Sequence, residues 1–266
     1  MLLREVGYAR PGSLGEAIQL LADDDGARAL AGGQTLVNVM KARAGSPDAL
    51  IDLSRIAELK GIELGSDGSL ELGAMTTCTE IVESSEARAR PILGEVCGQI
   101  ADVQVRNRGT IGGNVCTNDP TNHLPPLLAA LGAEFTIHSA NGDRTVPSEE
   151  FFLGVYMTAV GTGELLTKIR IPAGRADGFA AVTLGVDGSC LVSAAATVEG
   201  GVTVALGCVD AVPVVLRPSS GDADAVRAAV RDAQLDPPSD VHASSAYRSH
   251  LAEVLAVRAV QQAQGS

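Results

Sequence analysis

Apolar residues first recur at helical spacing after Ser13, where Leu14, Ala17, Ile18 and Leu21 share one face. Ser13-Leu14-Gly15-Glu16 places a serine and a glutamate three apart at its start, the pattern of a capping box. A short strand is predicted from Arg28 to Ala31, a helix from Leu36 to Ala42, and a buried strand over Leu50-Ile51-Asp52-Leu53. This βαβ-like unit ends near Leu59. From Gly61 the period shortens to two. Ile62-Glu63-Leu64 and Leu70-Glu71-Leu72 alternate around Gly65-Ser66-Asp67-Gly68, which predicts a hairpin.

Helical spacing returns at Thr77, with Glu80 three residues on, and again after Pro91, where Ile92, Val96, Ile100 and Val103 predict one longer helix. A helix over 124–131, a strand over 134–138 and a turn at Asn141-Gly142 follow. Lys168-Ile169-Arg170-Ile171-Pro172 reads as a strand ended by proline, and the polar stretch 173–178 as a domain boundary. Beyond it, strands around 180–185, 191–199 and 202–208 predict a meander, followed by helices around 223–232 and 244–262.

Composition narrows the function. The chain has 266 residues, 45% of them apolar, enough for two domains with real cores. A net charge of -12, 3% aromatics and no tryptophan argue against a nucleic-acid partner. No stretch approaches the ~20 apolar residues of a membrane span, and Met1-Leu2-Leu3-Arg4-Glu5 opens no signal-peptide core. Cys78, Cys97, Cys116, Cys190 and Cys208 are odd in number and lack a C-x-x-C, so free thiols of a reducing cytoplasm are expected, with no metal site.

Two Gly-Gly loops carry the candidate chemistry: Ala31-Gly32-Gly33-Gln34-Thr35-Leu36 and Thr110-Ile111-Gly112-Gly113-Asn114. Paired glycines admit positive φ and close approach, and successive free N–H groups form an anion-binding concavity. Two such loops could hold both phosphates of a dinucleotide, or each could be a plain turn. Neither is a G-x-G-x-x-G fingerprint nor a P-loop. Asn114 is a candidate pocket amide or a cap of its own turn. Arg106 and Arg108 are candidate phosphate contacts, or face solvent or a carboxylate. Asp119, before Pro120, is a candidate acceptor for a ribose or ribityl hydroxyl, or part of an ordinary turn. His123 is the candidate catalytic residue, ligand-facing or structural, and Cys116 a candidate pocket-lining thiol. His138, His242 and His250 read as surface residues.

At these loops the chain resembles the FAD-binding medium subunits of the molybdenum hydroxylases, the carbon monoxide dehydrogenase and xanthine dehydrogenase type. The likeness runs through 30–36, 51–56 and 72–77. It is strongest over Val105-Arg106-Asn107-Arg108-Gly109-Thr110-Ile111-Gly112-Gly113-Asn114, and continues through Asp119-Pro120, Gly163-Glu164-Leu165-Leu166, Tyr247-Arg248 and Arg258-Ala259. It implies an α+β fold. A two-subdomain FAD-binding domain of the vanillyl-alcohol oxidase type would span 1–172, divided near 59/60, and a small α+β domain 178–266. It implies FAD held by both loops, with Ile100 and the helix before the second loop near the flavin and Leu165 and Leu166 as apolar contacts. It also implies electron relay from the iron–sulfur clusters of a small subunit to NAD or another acceptor, beside a molybdopterin large subunit. A standalone flavoenzyme acting on a hydrophobic small molecule is the alternative.

Three departures stand out. His123 occupies a position where the resemblance implies aspartate. The stretch 178–186 lacks the lysine and arginines implied beside the flavin, which predicts an apolar wall from Phe179 to Val186. The turn implied before the last helices reads Gly207-Cys208-Val209-Asp210-Ala211-Val212-Pro213.

Overall fold

The computed structural model describes residues 3–185 and 188–265. The first unit holds β1 (Gly7–Ala9), α1 (Leu14–Asp23), β2 (Ala27–Leu30), α2 (Leu36–Lys41) and β3 (Ala49–Asp52). Its sheet has the order β1-β3-β2 with both pairings parallel, so the βαβ reading holds and β1 is an additional strand. Ser13 caps α1 through the Glu16 N–H, but the Glu16 carboxylate reaches back to the N–H of Gly12, one residue before the box position. Ala17, Ile18 and Leu21 are buried as the spacing predicts.

The second unit begins with β4 (Ile62–Leu64) and β5 (Leu70–Gly73), the predicted hairpin. It continues through α3 (Cys78–Glu83), α4 (Ile92–Gln99), α5 (Val103–Arg106), α6 (Ile111–Thr117) and α7 (Leu124–Ala130). Then come β6 (Glu134–Ser139), β7 (Gly142–Pro147), α8 (Ser148–Phe151), β8 (Phe152–Gly154), β9 (Met157–Thr158) and β10 (Leu165–Ile171). The five-stranded sheet has the order β4-β5-β10-β6-β7. Thr77 and Glu80 form a reciprocal capping box on α3.

The long helix expected after Pro91 is two short ones. The chain leaves α4 at Ile100 in an extended conformation, and Ala101 takes φ +42. The Arg106 guanidinium donates to the carbonyls of Ile100 and Ala101, fixing the kink, and Asp102 caps α5. Periodicity cannot register such a break, because the apolar face continues across it.

The C-terminal unit holds β11 (Asp177–Leu184), β12 (Ser189–Thr197), β13 (Thr203–Gly207), β14 (Val214–Leu216), α9 (Ala223–Asp232) and α10 (Ser245–Gly265). The strands form an antiparallel meander, with β14 unanticipated. One face, with Val192, Ala194, Ala196, Val204 and Leu206, packs on α9 and α10. The other, with Phe179, Ala195 and Ala205, joins the core of the second unit.

The expected boundary at 173–178 is therefore a sealed seam. Asp177 and Gly178 already belong to β11. Buried Arg90 meets buried Asp177 with two parallel bonds of 2.8 Å, and its third nitrogen donates to the Pro172 carbonyl. Removing one partner strands a buried charge, which costs about 3–5 kcal/mol. Arg90→Met is therefore expected to lower unfolding stability by about that amount, and Arg90→Met with Asp177→Leu to recover most of it. Urea titration followed by circular dichroism measures both. A loss under about 1 kcal/mol for the single variant would remove this pair as the tie between the units.

Candidate functional site

β2 ends at Leu30, and the chain turns through 31–35 into α2. Gly33 supplies the turn with φ +73. Gly32 packs so closely on the second loop that a Cβ there would lie 2.0 Å from the Arg108 carbonyl oxygen. The N–H groups of Gly32, Gly33, Gln34 and Thr35 find no backbone or side-chain acceptor among the described residues. Four successive free N–H groups running into a helix form an anion-binding nest, reinforced by the positive end of that helix.

The second glycine pair behaves differently. It is the first turn of α6, not an open turn with positive φ. Thr110 caps that helix through the Gly113 N–H at 3.0 Å. The N–H groups of Ile111, Gly112 and Asn114 bond to the carbonyls of Thr76, Ala74 and Thr110, at 2.9, 2.9 and 3.0 Å. The N–H groups of residues 111–114 are therefore bonded within the protein, and the open run of main-chain donors belongs to the first loop. Gly112 is required for packing: a Cβ would lie 2.6 Å from both the Cβ and the carbonyl oxygen of Ala74. The second loop contributes a side chain instead. Asn114 Oδ1 is buried without a partner, an acceptor awaiting a donor.

Between the loops lies a cavity of about 690 Å³, within the roughly 300–1,000 Å³ of small-molecule sites. Ala31 to Leu36, Ile100, Thr110, Gly112, Gly113, Asn114, His123, Leu165 and Leu166 all line it. Two predicted residues do not. Ile111 is fully buried in the core. Asp119 turns away, accepting from the Thr121 N–H and hydroxyl at 2.9 and 2.8 Å and from the Tyr156 hydroxyl at 3.0 Å. Arg106 is spent on its kink, and exposed Arg108 contributes its carbonyl to loop packing.

His123 is 5% exposed, sits at the start of α7 and packs edge-on against Phe179 with ring centroids 5.3 Å apart. Its Nδ1 is buried without a partner. Cys116 does line the cavity, and burial pushes its thiol up to about 12, which keeps it neutral. His138 is partly exposed and pairs with Asp143 at 2.5 Å across a hairpin, far from any site reading.

The predicted wall from Phe179 to Val186 is also corrected. Its described residues 179–185 do not border the cavity, and Val186 lies outside the described residues. The C-terminal unit reaches the cavity through Gly188 and Ser189 instead. Also unanticipated are Asn122, whose amide donates to the Asn114 carbonyl at 3.2 Å, and Thr121. The polar run after Pro120 was the signal for both. Glu164, at the rim, is held below its usual pKa by the Arg144 guanidinium at 2.6 Å.

The residues present suit a long, amphipathic, anionic molecule. An N–H nest suits a diphosphate, an orphaned amide oxygen suits a hydroxyl or ring N–H, and Ile100, Leu165 and Leu166 offer an apolar wall. The comparisons agree with this chemistry. The family described as FAD binding domain in molybdopterin dehydrogenase matches residues 4–174. The carbon monoxide dehydrogenase medium chain of Afipia carboxidovorans is 36% identical over 277 aligned positions, covering 96% of each chain. That of Hydrogenophaga pseudoflava is 46% identical over 169 residues, 62% of this chain and 58% of the relative. A crystal structure of the Cu,Mo-CO dehydrogenase superposes with a TM-score of 0.92 at 34% identity, covering 100% of this chain and 99% of that one.

The packing roles of the glycines are separable from ligand binding. Gly32→Ala and Gly112→Ala are each expected to cost about 1–3 kcal/mol, because backbone must move to admit the methyl group. Gly12→Ala, where nothing lies within 4 Å, is expected to be neutral. Thermal unfolding of the three variants measures this, and equal midpoints would show that the loops are not in close contact.

Proposed function

The chain belongs to the family of FAD-binding domains of molybdopterin dehydrogenases, and on that premise we propose that it is the FAD-binding medium subunit of a molybdenum-hydroxylase-type complex. The observation that carries this is the nest at 32–35 facing an orphaned Asn114 oxygen across one cavity. FAD, when bound, supplies the electron storage and transfer that no side chain here provides. The chain's own residues bind and orient it. The N–H groups of Gly32 to Thr35 meet the pyrophosphate, Asn114 and Thr110 meet polar groups of the chain or ring, and Ile100, Leu165 and Leu166 exclude water.

Relay of electrons requires partners, and we place an iron–sulfur small subunit and a molybdopterin large subunit beside this chain. The relatives are medium chains of multi-chain dehydrogenases, which favours this over a standalone flavoenzyme. Among the described residues no helix is long and apolar enough to cross a membrane. A cytoplasmic setting is part of the proposal, supported by five free cysteines.

FAD is expected to co-purify and to be released intact by denaturation, since the reading includes no covalent attachment. A folded, colourless chain that does not take up added FAD would overturn the proposal. Gly33→Val forces a branched residue into the left-handed region, at a cost of roughly 1–2 kcal/mol, and distorts the nest. It is expected to lose FAD while keeping its far-ultraviolet circular dichroism, and unchanged affinity by fluorescence titration would count against the nest.

The C-terminal unit offers the cavity only Gly188 and Ser189 among the described residues, no cation for a nicotinamide dinucleotide. Slow NAD(P)H oxidation by the isolated chain is therefore expected, and rapid stoichiometric flavin bleaching by NADH would refute it. His123→Ala should weaken FAD binding more than His138→Ala, as only the first borders the cavity. Isothermal titration compares them, and equal affinities would place His123 away from the cofactor.

A further inference from the structure

Two cysteines of the C-terminal sheet are each turned out of register toward the same spot. In β12, Val192, Ala194 and Ala196 face α10, so Cys190 would face α10 too if the strand were regular. It does not, because the register shifts between Val182 and Thr183, leaving Leu191 as an extra residue. Cys190 consequently pairs with Thr183, on the face of Phe179 and Ala181 that meets the second unit. A bulge of this kind re-aims a side chain. Buried Arg248 holds it, donating to the Leu191 carbonyl and to Asp240.

Cys208 is re-aimed by a different device. It follows β13, where Val204 and Leu206 face the α10 side, but takes φ +64, unusual for a residue with a Cβ. Its Sγ reaches across the seam to the Pro120 carbonyl at 2.9 Å. The Cys190 and Cys208 thiols lie side by side, and His123 and Ser193 lie against Cys190.

Those two neighbours carry a second, independent signal. His123 Nδ1 and Ser193 Oγ are both buried polar atoms without a partner. The Ser193 hydroxyl, and His123 Nδ1 when it carries the proton, are donors, and a thiolate at Cys190 would supply the acceptor they lack. The Cys208 contact, with His123 and Ser193, outweighs burial and holds the Cys190 thiol below its ordinary pKa. Cys208 is held above its own by Cys190 and by burial. The contact between the two thiols favours loss of one proton from the pair, and His123 and Ser193 beside Cys190 make it the sulfur that carries the charge. Both thiols are buried and neither lines the cavity, but His123 and Ser189, the neighbours of Cys190, do.

We propose that Cys190 and Cys208 form a redox-active dithiol at this seam, where a small hydroperoxide closes a disulfide between them. The Cys190 thiolate attacks the terminal peroxide oxygen. The O–O bond breaks, the alkoxide leaves and is protonated to the alcohol, and Cys190 becomes a sulfenic acid. Cys208 then gives up its proton and attacks the Cys190 sulfur, forming S–S and expelling hydroxide, which takes the proton as water. Two thiols are oxidised by two electrons, and one hydroperoxide is reduced to alcohol and water. Closure takes Cys208 off the Pro120 carbonyl, in the segment that carries Asn122 and His123 to the cavity. The inference is independent of the cofactor reading, because the chain without FAD holds both thiols.

The test uses the full chain, reduced, desalted, exposed to equimolar hydrogen peroxide and quenched with a maleimide. The expected result is loss of two hydrogens from the intact mass, one cross-linked peptide joining Cys190 to Cys208, and reversal by dithiothreitol. Cys190→Ser and Cys208→Ser abolish the cross-link, while Cys116→Ser retains it. His123→Gln slows closure by about tenfold and lowers the ultraviolet thiolate absorbance, because it removes the group that stabilises the attacking thiolate. If a serine variant does not fold, the wild-type peptide map decides alone. Three results would overturn the proposal: both cysteines alkylated after peroxide, a Cys78–Cys97 cross-link in place of this one, or sulfinic acid at Cys190 with Cys208 still free.

Discussion

Backbone laid directly on backbone is the constraint from which the site follows. Gly32 sits against the Arg108 carbonyl, and Gly112 against Ala74, at separations where a single methyl group would overlap a main-chain atom. Protein interiors at crystal-like density do not yield to such an intrusion without displacing an element. The first contact joins the small parallel sheet's loop to the second unit, and the other seats α6 against the end of β5. The junction is also where the cavity opens. The glycines thus serve the ligand at one remove: they bring the walls together, and the walls carry the polar groups.

The division of labour between the loops follows from where each backbone spends its hydrogen bonds. In the second loop every N–H from 111 to 114 is consumed, two by the strand-like segment at 74–76 and two by the Thr110 cap. That loop's N–H groups are bonded within the protein, and among the groups it presents to the cavity is the unpartnered Asn114 amide oxygen. In the first loop four N–H groups remain open. These residues are half-buried or exposed at the cavity, so the run stays open, and a single anion can accept from several of its N–H groups at once. An anion there also restores what folding left unsatisfied, coupling ligand binding to stability.

Much of this was legible in the chain. Periodicity gave α1, the hairpin at 62–72, β6, the C-terminal meander and both last helices, because each has one buried face and clear punctuation. It failed at Ile100–Ala101, where the apolar face runs on through a break made by an arginine bonding to main-chain carbonyls. Glycine pairs were legible as sites, but not as different in kind, since a helical Gly-Gly and a left-handed one are written identically. The choice was made by Thr110 as a cap and by the carbonyls of Thr76 and Ala74, far upstream in the chain. Asp119 read as a pocket acceptor because Asp-Pro marks a turn, and its carboxylate is instead used up inside that turn and by Tyr156. The apolar wall read from Phe179 onward failed for a related reason. Position in the sequence near the seam does not fix which strand end borders the cavity, and here the turn leading into β12 does so.

The seam between the FAD-binding part and the C-terminal sheet is more than a boundary. Arg90 and Asp177 fasten one end with a buried, doubly bonded ion pair. At the other end Phe179, Ser193, Cys190 and Cys208 face His123 and Pro120. Ordinary packing would fill such a seam with apolar side chains, as Ala195 and Ala205 do beside it. Instead the chain spends a β-bulge, a left-handed cysteine and a buried arginine on placing two thiols and two unsatisfied polar atoms together. The left-handed cysteine costs of order 1–3 kcal/mol, and it and the bulge persist only where the surroundings over-determine them. Arg248 over-determines the bulge through the Leu191 carbonyl, and the Pro120 carbonyl the cysteine. A seam of that construction holds the C-terminal sheet in place while leaving its chemistry next to the cavity wall, which is the arrangement a second redox group requires.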